Sequence, residues 1–341
     1  MGFFANLAND WQFIRGMYGV LRDVTPAARK TTYTFPDAME DLAERHGDRP
    51  ALVSDRESLT YAALNAHGNR YARWTMAHGI EKGDVVCLLM PNRPEFAAVW
   101  LGVARAGGVT ALLNTNLTGK ALAHCIDLVS PKHIIVDDAL ADAFATARPL
   151  LSTTARVWWH GGEANPAERV DTALADFSDA RIETADRPRL TLEDRCLFIY
   201  TSGTTGLPKA ANVNHYRVYG AMLAFSRFAA MTADDRIYNC LPMYHTSGGI
   251  LAIGSALVVG GSTFIRERFS ASRIWDDVVD HDCTRIQYIG ELCRYLVNAP
   301  PHPKERAHKV TLCCGNGLRP DIWERFRERF GCRPAEWHSD L

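Results

Sequence analysis

The residues best suited to chemistry lie in one run, Leu197-Phe-Ile-Tyr-Thr-Ser-Gly-Thr-Thr-Gly-Leu-Pro-Lys209. A short apolar stretch leads into hydroxyls and glycines, and a lysine closes the run. Gly203 and Gly206 let the backbone turn tightly and aim its N–H groups at an anion. Thr201, Ser202, Thr204 and Thr205 add hydroxyl donors, and Lys209 adds a positive point charge. Together these groups suit phosphate. The competing reading is a plain surface turn, but strand, loop and lysine in this order form a rarer combination. Two familiar loops are excluded by spacing. A Walker loop places lysine directly after glycine and before Ser or Thr, whereas Lys209 lies three residues past Gly206 and precedes Ala210. A nucleophile elbow needs glycine two residues before its serine, and Tyr200 stands there.

Three further segments carry polar groups at chain turns. His245 follows an apolar strand, Ile237 to Leu241, and a turn containing Pro242, with Tyr244 as its packing neighbour. Gly315-Asn316-Gly317 combines small residues with an amide that both donates and accepts; Asn-Gly is equally a plain turn signal. Gln287, Tyr288 and Gly290 sit where a strand gives way to a helix. For each segment ordinary packing is the alternative, and a satisfied core histidine is the ordinary reading of His245 taken alone.

The elements that must position these groups alternate between strand and helix. Thr34, Phe35, Pro36 and Asp37 open a helix running to about Arg45. Thr60 caps a second helix, with Tyr61, Leu64, Tyr71 and Trp74 on its apolar side and Gly79 closing it. Val85 to Met90 is a continuous apolar run, as expected of a buried parallel strand. Pro94 to Ala106 follows as helix, Val109 to Leu113 as strand, Lys120 to Val129 as helix and His133 to Val136 as strand. This order predicts an α/β fold with parallel sheets and helices on both faces. Residues 162–190 read as a polar loop or linker, and a second run of elements starts at Cys196. Pro320 to Phe330 reads as a helix stopped by Gly331.

Composition narrows the function classes. The 341 residues are 47% hydrophobic and 23% charged, which is globular and neither disordered nor fibrous. A net charge of −1 provides no field for nucleic acid, so no nucleic-acid partner is expected. Nine cysteines without a C-x-x-C pair indicate reduced thiols rather than disulfides or zinc, and hence a cytoplasmic setting. The adjacent pair Cys313–Cys314 is a low-priority redox candidate. Phe3, Leu7, Trp11, Ile14, Tyr18 and Leu21 form a helical stripe. Its two readings are docking on the protein's own body and peripheral membrane contact through residues 1–24, at the inner face of the membrane. Residues 248–265 carry no charge, but five glycines break them up. They read as a buried helix, a Gly-Gly turn and a strand at Ser262–Ile265 rather than a spanning helix.

Tyr200-Thr-Ser-Gly-Thr-Thr-Gly-Leu-Pro-Lys209 resembles the signature loop of the adenylate-forming enzymes, which include the acyl-CoA synthetases. Leu241-Pro-Met-Tyr-His-Thr-Ser-Gly-Gly249 resembles the next motif of that family. Gln287-Tyr-Ile-Gly-Glu-Leu-Cys-Arg-Tyr295 and Cys314-Gly-Asn-Gly-Leu-Arg-Pro-Asp-Ile-Trp323 are similar to the fatty acid transport protein and very-long-chain acyl-CoA synthetase branch. The resemblance runs from about residue 33 to 331. It implies the N-terminal domain of the acyl-CoA synthetase fold and a two-step ligation of a fatty acid, ATP and coenzyme A. It further implies that Tyr200 to Gly206 and Lys209 hold phosphates, with Thr204 and Thr205 nearest magnesium (Mg2+). Lys209, His245 and Thr204 would be catalytic. Gly315, Asn316 and Gly317 would lie against the adenine, and Tyr244, His245, Gln287, Tyr288 and Gly290 would line the acyl site.

On this reading the chain divides into an amphipathic segment at 1–32, a first α/β subdomain at 33–190, and a second, incomplete one at 191–331. Residues 332–341 form a tail outside the family pattern, without a strand. The expected Tyr-Gly-x-Thr-Glu motif with its magnesium-binding glutamate, the ribose-binding Thr-Gly-Asp segment and the C-terminal lid domain are absent. The tail resembles the out-of-frame end of an interrupted coding sequence, and partial disorder is expected near residues 310–341. Two other functions stay open: a non-catalytic protein binding nucleotide or fatty acid, and a membrane-associated uptake protein.

Overall fold

A computed structural model describes residues 29–162, 168–201 and 206–336. The amphipathic stripe of residues 1–24 lies outside these residues, as do Ser202, Gly203, Thr204 and Thr205. Two sheets organise the chain. The first contains six strands in the order β6-β5-β3-β4-β7-β8. They are β3 (Val85–Leu89), β4 (Val109–Leu112), β5 (His133–Asp137), β6 (Arg156–His160), β7 (Arg195–Thr201) and β8 (Lys209–Asn214). All pairs are parallel except β7–β8. The second contains seven strands in the order β13-β12-β11-β9-β10-β1-β2. They are β1 (Pro50–Val53), β2 (Ser58–Thr60), β9 (Arg236–Asn239), β10 (Ser262–Ile265), β11 (Arg285–Ile289), β12 (Leu312–Asn316) and β13 (Arg333–Glu336). Only β1–β2 is antiparallel there.

The helices begin where the sequence expects them, for local reasons. Helix Phe35–His46 starts at Thr34, whose side chain and Asp37 form a reciprocal capping box with Pro36 in the first turn. Helix Tyr61–Ala77 starts at Thr60, whose hydroxyl accepts from the Ala63 N–H at 3.1 Å. Strands β3, β4 and β5 are buried at every position, which explains the unbroken apolar run of β3 and the mostly apolar make-up of the other two.

Several expectations need correction. The sheets do not divide at residue 190: β7 and β8 complete the first sheet, and β1 and β2, from residues 50–60, join the second. Hydrophobic pattern marks strands but says nothing about which sheet they join. Six strands, β1, β2, β6, β8, β12 and β13, escaped the sequence reading. Within the range read as a polar loop or linker, described residues 168–190 include short helical turns at Val170–Ala173, Leu174–Asp176 and Thr184–Asp186. Arg73 donates to the Ser178 and Ala180 carbonyls at 2.9 and 2.7 Å, which ties the segment down.

The supposed tail contributes a strand. β13 pairs in parallel with β12, from Leu312↔Arg333 to Gly315↔Glu336. Pro334 masked it in the sequence, but proline is tolerated on an edge strand. Residues 312–336, expected to be partly disordered, form β12, helix Pro320–Phe330 and β13. The Cys313–Cys314 pairing also fails. Successive strand residues face opposite ways, so the two thiols enter different core clusters. Cys313 instead meets Cys332, with 3.3 Å between sulfurs. All nine cysteines are free and buried. The uncharged stretch at 248–265 becomes a π-helical turn (Thr246–Leu251), helix Ala252–Leu257 and β10. Among the described residues no helix is long and apolar enough to cross a membrane.

Candidate functional site

Every segment singled out by its chemistry follows the C-terminal end of a strand. In parallel sheets that is where ligands bind, because loops there are free to vary while the strand ends fix them. The loop 202–208 leaves β7, the Tyr244–His245 turn follows β9, Gly290 follows β11, and Asn316–Gly317 ends β12.

The β7–β8 pair is a hairpin. Thr201 faces Lys209 across the antiparallel register, so the hydroxyl-rich loop is pinched at its base between those two residues. Lys209 is exposed, and Gly206 adopts a positive φ of 92°. Tyr200 behaves differently from its neighbours. Its ring is buried in the first sheet's core, and its hydroxyl donates to the Cys125 carbonyl at 2.7 Å. Burial raises its pKa far above the usual tyrosine value. The side chain of Tyr200 therefore anchors the strand and is turned away from any ligand in the loop.

The turn Leu241–His245 is held from both sheets. From its own side, Asn239 donates to the Gly248 carbonyl at 3.0 Å and accepts from the Leu241 N–H at 3.1 Å. From the first sheet, Asn92 donates to the Leu241 carbonyl and accepts from the Met243 N–H at 2.9 and 2.8 Å. Asn116 donates to the Tyr244 hydroxyl at 3.0 Å. The Tyr244 and His245 rings lie 4.6 Å apart. His245 itself is exposed. The protein behind it still desolvates the ring and lowers its pKa below the ordinary histidine value, so the imidazole is neutral at pH 7. A cavity of about 390 Å³ opens beside Tyr244. Asn92, Asn116 and Leu140 line it from the first sheet, and Leu241, Phe269 and Ile289 from the second.

The third segment is built by close backbone contact. A Cβ on Gly290 would stand 1.7 Å from the Gly317 carbonyl oxygen, and one on Gly315 would stand 2.1 Å from that of Tyr288. Only glycine fits either place. Asn316 and Gly317 are exposed, and the Leu318 N–H donates to Glu336 Oε1 at 2.6 Å. Gln287 and Tyr288 point to opposite faces of β11. Gln287 is 2% exposed and its Oε1 has no hydrogen-bond partner, whereas Tyr288 packs into the second cluster and donates to the Ala335 carbonyl at 3.2 Å. The two cannot line one wall together.

The structure thus brings Tyr244 and His245 to Asn92 and Asn116, and Gly290 to Gly317. It buries the Tyr200 and Tyr288 side chains in the cores of the first and second sheets. Asn92, Asn116, Asn239 and Glu336 escaped sequence reading, since a lone Asn or Glu near a strand end has no distinctive pattern. Among the described residues, no three His, Cys, Asp or Glu side chains converge on a metal.

A model of the AMP-binding enzyme family matches residues 39–338, continuing past Gly331, where the sequence resemblance had seemed to end. Long-chain fatty acid transport protein 1 of Rattus norvegicus is 41% identical over 311 residues, covering 89% of this chain and 48% of that protein. A medium/long-chain-fatty-acid–CoA ligase of Mycobacterium tuberculosis is 37% identical, covering 88% of this chain and 49% of that protein. The chain spans about half the length of the curated relatives it matches. Among solved structures, the N-terminal domain of FACL13 from Mycobacterium tuberculosis superposes with a TM-score of 0.79 at 20% identity, covering 90% of this chain and 76% of that one. A benzoate CoA ligase from Burkholderia xenovorans gives 0.78 at 20% identity, covering 89% and 60%. These likenesses establish the fold as that of the N-terminal domain of acyl-CoA ligases.

Proposed function

The chain belongs to the AMP-binding enzyme family, and from that premise we propose that it supplies the nucleotide- and acyl-binding part of a fatty acid–CoA ligase. A carboxylate oxygen of the fatty acid attacks the α-phosphorus of ATP. The bond from that phosphorus to the bridging oxygen breaks, and pyrophosphate leaves with the electron pair. The thiol of coenzyme A then attacks the acyl carbon, AMP leaves, and the thiol proton passes to solvent. The first step asks a protein for position and charge more than for covalent chemistry.

The observation that carries this reading is the hairpin pinched between Thr201 and Lys209, with exposed Lys209 at the mouth of a hydroxyl-rich loop. Lys209 faces the departing phosphates as a point charge, and the loop N–H groups and hydroxyls of Ser202, Thr204 and Thr205 surround them. Neutral His245 lines the acyl side and offers one ring N–H. Gly315, Asn316 and Gly317 give a flat, side-chain-poor surface for the adenine. Gln287 and Gly290 border the acyl group. Magnesium suits a donor set of threonine hydroxyls and nucleotide oxygens, and it would add charge neutralisation there. Peripheral membrane contact through residues 1–24 belongs to the same proposal. Liposome flotation with and without that segment tests it.

Fatty-acid-dependent ATP–pyrophosphate exchange tests the central claim. Lys209→Ala is expected to lower exchange by at least about 100-fold while leaving the fold intact. Exchange unaffected by that change overturns the assignment of the loop. No exchange in the unmodified chain, with ATP still bound, leaves a nucleotide-binding protein without the proposed reaction.

A further inference from the structure

Asn92 stands on the loop between β3 and helix Pro94–Arg105, in the first sheet. Its side-chain partners all belong to the second sheet. Nδ2 donates to the Leu241 carbonyl at 2.9 Å and to the Arg266 carbonyl at 3.2 Å, and Oδ1 accepts from the Met243 N–H at 2.8 Å. Leu241 follows β9 and Arg266 follows β10, so one amide bridges the ends of two neighbouring parallel strands. Both amide hydrogens and one oxygen lone pair are used.

The recipients matter. Leu241 and Met243 flank Pro242, and the Pro242 carbonyl accepts from the His245 N–H at 3.1 Å. The Gly249 N–H donates in turn to the His245 carbonyl at 2.8 Å, which joins the turn to the π-helical segment Thr246–Leu251. Asn92 therefore holds the residues on either side of Pro242, and the Pro242 carbonyl holds the His245 backbone N–H. Asn116, from the loop after β4, adds a second hold by donating to Tyr244. The same two asparagines line the cavity beside Tyr244.

We infer that Asn92 is a positioning residue for His245, fixing the turn between Leu241 and His245 only when the two sheets are docked. This rests on the proposed ligase function for its kinetic readout, but not for its structural one. An aspartate could not replace it, because a carboxylate has no hydrogen to give Leu241 or Arg266. An alanine would leave two buried-side carbonyls and one N–H to find water, and the turn would be free to shift. A misplacement of about 1 Å in a reacting group can cost on the order of 100-fold in rate.

The test uses Asn92→Ala and Asn92→Asp, with Asn92→Ser as a small polar variant should either fail to fold. Val136→Ala, in the core on the far face of the first sheet, serves as a structural control. Nuclear magnetic resonance of the His245 ring is the activity-independent measurement. Asn92→Ala is expected to move the His245 titration midpoint up towards the ordinary value near 6.5, while Val136→Ala leaves it in place. Adenylate formation supplies the second measurement. Asn92→Ala is expected to lower kcat by about 10- to 100-fold with KM for ATP changed less than about twofold. In a His245→Ala background the same substitution should cost less than about threefold, since it acts through that histidine. An unmoved His245 signal, or an equal loss of kcat with and without His245, overturns the inference. Absence of adenylate formation in the unmodified chain counts against the ligase reading alone, and the His245 titration still decides the role of Asn92.

Discussion

The turn carrying His245 and the turn carrying Asn316–Gly317 both end parallel strands of the same sheet, yet they are fixed by opposite means. The first is held by side chains that reach across from the other sheet, Asn92 and Asn116, with Asn239 behind. The second is held by missing side chains, since Gly290 and Gly315 let backbone meet backbone, and by one carboxylate, Glu336. On the proposed function, the difference matches what each turn would present. A turn that must aim an imidazole needs several directional bonds to fix its orientation. A turn that must offer a flat surface needs only to be close, and each added atom spoils it.

Substitutions at the two turns should therefore fail differently. Gly290→Ala should show the largest effect in stability. The new methyl would meet the Gly317 carbonyl, a backbone atom that cannot move aside. A loss of about 3 kcal/mol is expected, read as a lower urea midpoint with unchanged slope. A midpoint within experimental error of the parent would show that this turn is softer than its packing implies. Glu336→Ala comes next, at about 1 kcal/mol, because a charge-assisted bond to the Leu318 N–H is removed. Glu336→Gln keeps an acceptor and should lose less than half as much. Equal losses would mean the negative charge, and not the bond, holds the turn. ATP affinity should fall in both Gly290 and Glu336 variants, whereas the His245 signal should stay unchanged.

The smallest effect is a pH dependence. Burial lowers the His245 pKa below its unfolded value. As pH falls through the unfolded value near 6.5, the unfolded chain takes up the proton first, so stability declines with acid until the folded ring is also protonated. His245→Gln should reduce the fall of the urea midpoint as pH drops below about 6.5. A midpoint whose pH slope survives that change assigns the dependence to other groups.

Much of the molecule is legible without coordinates. Thr34 and Thr60 announce helix starts by their own hydrogen bonding, which needs only neighbours in sequence. β3, β4 and β5 announce themselves because burial on both faces favours apolar residues, without a break in β3 and with one or two polar ones in β4 and β5. The family motif around Thr201 and Lys209 is readable because its residue types and order are distinctive. Other features depend on distant chain. β13 was hidden by Pro334, and it exists because β12 offers a free edge to pair with. Tyr200 and Tyr288 lie within site motifs, but their side chains are committed to Cys125 and Ala335. Strand alternation assigns adjacent residues to opposite faces, and only the packed sheet decides which face meets ligand.

The residue types alone determined the α/β class with parallel sheets and the capped helix starts, since propensity and capping are local properties, and the motifs carried the family resemblance. Tertiary structure decided which strands share a sheet, that Cys313 meets Cys332 and not Cys314, and that Asn92 governs the His245 turn. Those outcomes rest on contacts between residues far apart in sequence, up to Arg266 for Asn92. Such contacts have no local signature, because the energy that selects them appears only when both sheets are assembled.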